Sequence, residues 1–347
     1  MVSCLAMRRL VTLFLMFAVP ISAQLRETMT VARILLDVRV TDIDGEAMIG
    51  LEAQDFDVRI DGQKAEVLSA TWIDDTVAYS AEPPDNPTTG QPDNRLTTLP
   101  PSGRLFIFFI QTDFSRETER VRGQMHFLLY AEKTLEMLEP EDRVAVFSFD
   151  SHLKFRLDFT SDKETILAAM KESLFVNIPG PPPVVHAPAL ASRLDREEMK
   201  RADDSETALL LIGNALRLIP GPKSLLLMGW GLGELTPSGV RMKPRYKFAR
   251  NALEAARVTI FALDTTNADY HSLEVGLGKA AEDTGGFYAK THLFADQAIT
   301  RLRRTLAGHY ELELRRPDSL KTGTHRVEVR VKIRGAHVLA PATWMDR

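Results

Sequence analysis

Cysteine is nearly missing from this 347-residue chain: its single copy, Cys4, lies ahead of the first apolar run. Beyond it the chain can form no disulfide, no thiol nucleophile and no cysteine-ligated metal site, so the fold must rest on its core. Long apolar runs are missing too. The most apolar stretch, LVTLFLMFAVP, falls short of the roughly 20 residues that a membrane helix needs. The eight histidines show neither H-x-x-x-H nor H-E-x-x-H spacing, so the sequence announces no zinc site. There is no excess of positive charge: Lys and Arg number 43 against 47 Asp and Glu, a net −4. That balance gives no reason to expect nucleic acid or an acidic membrane surface as partner.

What is present is an ordinary globular composition, 44% hydrophobic and 26% charged. Arg8 and Arg9 precede the apolar run, and ISA follows it, ending in a small residue suited to cleavage after Ala23. Residues 1–23 therefore read as a secretory signal peptide, with Met7 as an alternative start, and the protein is expected to be secreted or periplasmic. The leader carries two arginines and no acid, so its removal takes the net charge from −4 to −6.

Residues 24–78 read as an N-terminal β-module. Leu36, Val38 and Val40 alternate with Asp37, Arg39 and Thr41, and Phe56, Val58 and Ile60 with Asp57, Arg59 and Asp61. Asp44-Gly45 and Asp61-Gly62 are turn dipeptides. Residues 79–103 form a Pro-rich linker. From 104 to 308 apolar strands (RLFIFFI, RVAVFSF, KSLLLM, VTIFAL) alternate with helical patterns, which argues for an α/β fold with a doubly wound, mainly parallel sheet. A Pro-rich, then charge-rich insertion interrupts it at about 177–204. Residues 309–347 return to period-two alternation. They are expected to pack with the N-terminal module as a flanking antiparallel unit, since that module is too small to stand alone.

The order of strand, polar corner (QTDFS), long helix, LEPEDRVAVFSF, GPKSLLLMGWG, RVTIFALDT and AAEDTGGFY resembles the von Willebrand factor type A (VWA) domain. More narrowly, it resembles the VWFA-related domain of secreted acidobacterial-type proteins. There a β-module with paired D-x-x-G and DG signatures precedes the VWA fold; compare Asp42 with Gly45, Gly50-Leu51, Asp55-Phe56 and Asp61-Gly62. The resemblance spans about Thr30 to Leu339. It implies a Rossmann-like fold and a bacterial protein-binding module, often cation-dependent and not an enzyme.

It also implies where a ligand would sit. In such domains a D-x-S-x-S loop leaves the first strand, and a Thr and a second Asp from later loops complete a shell of oxygens for Mg²⁺. Here Gln111 stands at the first Asp, Asp113 at the first Ser, Ser115 at the second Ser and Thr207 at the Thr position. Gly229 or Trp230 stands where the later Asp belongs. One carboxylate remains where two are expected. The metal-ion-dependent adhesion site therefore reads as degenerate, with no cofactor expected and Mg²⁺ the cation it would otherwise hold. A shifted cation on Asp113, Ser115 and Glu234 is the alternative, and helix capping by Asp113 or Ser115 is a third reading. Trp230 reads either as a contact anchor for a protein partner or as a half-buried lid. Ser148, Asp150 and His152 lack a nucleophile elbow, so no hydrolase is expected. Asp264 reads as a strand end receiving local hydrogen bonds.

Overall fold

A computed structural model describes residues 33–75, 103–112, 118–174, 190–292 and 294–346. The leader, the linker apart from Gly103, and the first part of the insertion lie outside the described residues. So do Asp113 and Ser115. The opening strands are β1 (Arg33–Thr41), β2 (Phe56–Ile60), β3 (Gln63–Ala65) and β4 (Val67–Asp74). The central part runs β5 (Leu105–Gln111), α1 (Thr118–Glu136), β6 (Arg143–Phe149), β7 (Leu153–Thr160), α2 (Lys163–Leu174), α3 (Arg196–Arg201), α4 (Ser205–Leu216) and β8 (Lys223–Gly229). It continues with β9 (Glu234–Thr236), β10 (Gly239–Arg241), α5 (Tyr246–Ala255), β11 (Val258–Asp264), α6 (Glu274–Asp283), β12 (Tyr288–Lys290) and α7 (Ala295–Thr305). The closing strands are β13 (Gly308–Arg315), β14 (Gly323–Val331), β15 (His337–Leu339) and β16 (Thr343–Asp346).

The central sheet has six strands in the order β12-β11-β8-β5-β6-β7. All neighbours are parallel except the edge strand β7, which turns back antiparallel on β6. Its three middle strands are buried along their whole length because they have helices on both faces. Side chains alternate between the faces. Leu105, Ile107 and Phe109 of β5 join Leu225, Leu227, Ile260 and Ala262 under α4, α5 and α6. Phe106, Phe108 and Ile110 join Leu226, Met228, Phe261 and Leu263 under α1, α2 and α7. Each such Leu, Ile or Phe contributes about 1.5–3 kcal/mol on burial. The chain enters the sheet at β5, adds β6 and β7 on one side, and returns to add β8, β11 and β12 on the other. Strand order thus reverses between β5 and β8.

The opening and closing strands interleave. One four-stranded sheet reads β15-β1-β13-β4 and a second β16-β14-β2-β3. Their facing residues, among them Leu36, Val38 and Val40, Phe56, Val58 and Ile60, and Tyr310, Leu312 and Leu314, form one core. Asp61 and Gly62 both take positive φ in the two-residue turn joining β2 to β3. The Tyr310 hydroxyl donates to the Met48 carbonyl and accepts from the Leu51 N–H, each at 2.9 Å, pinning the Met48–Leu51 loop to the sandwich.

The polar side of β1 is also covered. Asp37 receives two hydrogen bonds from Arg257, at 2.9 and 2.5 Å, and Arg257 reaches Glu311 of β13 at 2.7 Å. Arg39, 3% exposed, donates to Thr259 Oγ1 of β11. The alternation of β1 thus supplies an apolar face for one core and a charged face that docks on the central sheet.

Lys223, at the start of β8, is buried and donates to the carbonyls of Gly221 at 2.7 Å and Ala256 at 2.8 Å. Burial, aided by the Arg257 charge, pushes its pKa down to about 7. Between that value and the ordinary lysine range the unfolded chain holds a proton that the folded chain has released, so stability rises with pH through this window. Denaturation at pH 6 and pH 9 should show a gain of roughly 2 kcal/mol in the native protein that Lys223→Met removes. An equal gain in both proteins would assign it to other groups.

Candidate functional site

The crevice beyond the carboxyl ends of β5 and β8 is where a doubly wound sheet forms its binding site. Gln111 ends β5 there, wholly buried. Its Nε2 donates to Ser205 Oγ and to the Gly231 carbonyl, both at 2.8 Å. Its Oε1 accepts from the N–H groups of Trp230 at 3.0 Å and Gly231 at 3.2 Å. An amide has two donor hydrogens and two acceptor lone pairs, and all four are used. Gln124 of α1 completes the brace, donating to the Gln111 carbonyl at 3.1 Å. One neutral side chain therefore ties together the end of β5, the start of α4 and the loop after β8.

Gly229 is part of the same device. A β-carbon at residue 229 would lie 2.0 Å from Gln111 Oε1, so no side chain fits there while Gln111 holds its place. A carboxylate at residue 229 and the Gln111 amide exclude one another by volume. The loop then crosses α6 at close range: β-carbons at Gly231 and Gly276 would meet Leu273 Cβ at 2.5 Å and the Leu232 carbonyl at 2.1 Å.

The start of α4 carries two acids, both engaged. Asp204 caps the helix, accepting from the Thr207 N–H at 2.6 Å. Glu206 is 2% exposed, accepts from the Gly233 N–H at 2.8 Å, and has its pKa raised by burial. The hydroxyl that meets Gln111 belongs to Ser205; Thr207 serves the helix cap through its backbone. Trp230 is half-buried, with the Arg120 guanidinium 4.1 Å from its ring centroid. Glu234 lies on β9, bonded to Arg241 across a β9–β10 hairpin at 2.6 and 3.1 Å. Of the residues singled out in the sequence, the structure brings Gln111 and Trp230 together and seats Thr207 within the first turn of α4. Ser205 and Glu206 were not singled out. The signal for them was their position beside Thr207 and behind the Asp204 cap.

Ser148 accepts from Arg156 Nε at 2.8 Å, while Asp150 pairs with Lys154 and His152 lies against Ser151. His152 Nδ1 also stands 3.8 Å from Asp150 Oδ1, whereas the Ser148 hydroxyl is engaged by Arg156.

No family model and no curated protein matches the chain. Among solved structures it is similar, at 14% identity, to the human COPII-coat protein Sec24c, covering 70% of this chain and 44% of that one with a TM-score of 0.39. A von Willebrand factor type A structure from Catenulispora acidiphila is similar at 12% identity, covering 70% and 66%, with a TM-score of 0.41. An aerotolerance-related membrane protein from Bacteroides fragilis carrying multiple mutations to serine is similar at 11% identity, covering 58% and 98%, with a TM-score of 0.39. The chain spans less than two thirds of the length of the first two.

Because Gln111 and Gly229 share one volume, their substitutions should couple. Gln111→Ala is expected to cost about 2–4 kcal/mol through lost buried hydrogen bonds, and Gly229→Ala about 1–3 kcal/mol through overlap. In the Gln111→Ala background the second change should cost at least ~1 kcal/mol less. Additive costs in urea denaturation would show that the two residues do not compete for space.

Proposed function

We propose that this chain is an exported, VWA-like binding module that holds a protein partner at the carboxyl end of its central sheet, without a cation in the corner and without catalysis. One observation carries the reading. Leu235, Phe248, Tyr270 and Val275 are 64%, 59%, 68% and 53% exposed, and all four lie on segments leaving or flanking that end of the sheet. Large apolar side chains left in solvent at one end of a sheet are what a protein interface uses.

The absence of metal in the proposal rests on fit. The Gln111 amide has no lone pair left for a cation, Gly229 has no side chain, and the hydroxyl of Ser205 already accepts from Gln111. Mg²⁺ prefers one or two carboxylates with hydroxyls and waters in near-octahedral array, and these residues do not supply that set. Among the described residues no helix is long and apolar enough to cross a membrane. An exported protein acting at or beyond the envelope accords with the leader read from the sequence.

Photo-crosslinking tests the surface. A benzophenone amino acid at Leu235 or Tyr270, in cells making the protein, should yield one discrete protein adduct. The same probe at Leu218, 70% exposed at the opposite end of the sheet, should not. The same adduct from all three positions, or none from Leu235 and Tyr270, would reject this surface. Calorimetric titration with Mg²⁺ should give no binding that Asp113→Ala removes; a heat that this substitution abolishes would restore a cation-dependent adhesion site.

A further inference from the structure

One strand over from the braced corner, the end of β11 gathers polar side chains that the binding surface does not use. Asp264 is 1% exposed. His271, in the loop before α6, and Glu274, the first residue of that helix, face it. One ligand-type atom from each of the three lies within 4.8 Å of the other two. His271 Nε2 is 2.7 Å from Asp264 Oδ2, the oxygen that also accepts from the Tyr288 hydroxyl at 2.7 Å. Lys290 Nζ stands 2.9 Å from Glu274 Oε2. Beside them Thr266 donates its N–H to Asp264 Oδ1 at 2.9 Å, yet its own buried hydroxyl has no partner.

We propose that Asp264, His271 and Glu274 bind a divalent transition cation of the zinc class. Two carboxylate oxygens and an imidazole nitrogen are the donors such an ion takes at about 2.0–2.2 Å, with a further position open. Ligand atoms around an ion of that size stand roughly 3.4 Å apart, so His271 Nε2 and Asp264 Oδ2 would part slightly from their 2.7 Å contact while the wider spacings, within 4.8 Å, draw in. The imidazole sets the class: Mg²⁺ and Ca²⁺ want oxygen alone, whereas zinc-like ions accept nitrogen.

Lys290 and the protons on Tyr288 and His271 now supply the positive character that two converging carboxylates need. A cation would replace that supply. Lys290 has somewhere to go, since its ammonium also donates to the Asp269 carbonyl. Thr266, bonded to the same carboxylate through its backbone N–H, carries a buried hydroxyl without a partner, which an added water would satisfy. Tyr288 would keep its bond to Asp264 and hold that carboxylate in place. His271 and Glu274 side chains are 15% and 16% exposed, which leaves a path for entry.

The test is calorimetric titration of the untagged full chain with Zn²⁺ after chelator treatment and chelator removal, alongside His271→Gln and Lys290→Met. His271→Gln keeps an N–H donor for Asp264 but loses the imidazole. One Zn²⁺ per chain is expected, weakened at least about tenfold in His271→Gln. Lys290→Met, which removes the competing ammonium, should bind more tightly than the native protein. Co²⁺ should give visible absorption of a low-coordinate site that zinc displaces. No zinc binding in the native chain, equal binding in His271→Gln, or weaker binding in Lys290→Met would overturn the assignment. If His271→Gln fails to fold, the Lys290→Met comparison and the cobalt spectrum decide it.

Discussion

The carboxamide of Gln111 is the interaction on which the carboxyl end of the central sheet depends. Strand order reverses between β5 and β8, which opens a crevice in the sheet just where three chain segments end or begin. A charged residue there would have needed a counter-ion or water. An amide, carrying donors and acceptors on one planar group, closes the crevice with protein partners alone, and the low polarity around it strengthens each bond. The bare backbone of Gly229 leaves the volume that this amide fills. The loop that follows, from Trp230 to Gly233, is consequently held from both sides, by Gln111 and by Glu206.

Much of the architecture could be read from the chain because period and burial coincide. Continuous apolar runs became the doubly covered strands β5, β8 and β11, and alternating runs became the sandwich strands and the edge strand β7. The β9–β10 hairpin was not legible: ELTPSGVR is too short and too polar to show alternation. The charge-rich stretch RLDREEMKRADDSE contains α3, capped by Asp195 and anchored by buried Met199. Its charge concealed the apolar contacts of Leu194, Met199 and Ala202.

The site was legible only in part, for a reason of distance along the chain. Gln111 drew notice because it ends an apolar strand, and Trp230 because it follows one. Ser205, which completes the brace, is 94 residues from Gln111, and its place behind the Asp204 cap marks a helix start, not a partner for Gln111. Motif alignment pointed to Thr207, two positions away, where the helix cap uses its backbone instead. The acid at the end of β11 was read as making local bonds, and Thr266 does donate to it. Its imidazole and phenol partners come from loops and strands that only the fold brings together.

The interleaving of the terminal strands has a consequence for how the protein is made. Arg33 of β1 pairs with Glu313 of β13, 280 residues further on, while the whole central sheet lies between them. A chain that emerges from its amino end presents β1 and β4 long before the strand that separates them exists. Until then both carry open edges of the kind that join foreign strands. The α/β part, whose contacts are more local, is placed to fold first and to offer Arg257 and Thr259 as a seat for the charged face of β1. Completion of this sheet thus waits for β13, and a chain cut short before it would be left with an unfinished, adhesive pair of strands.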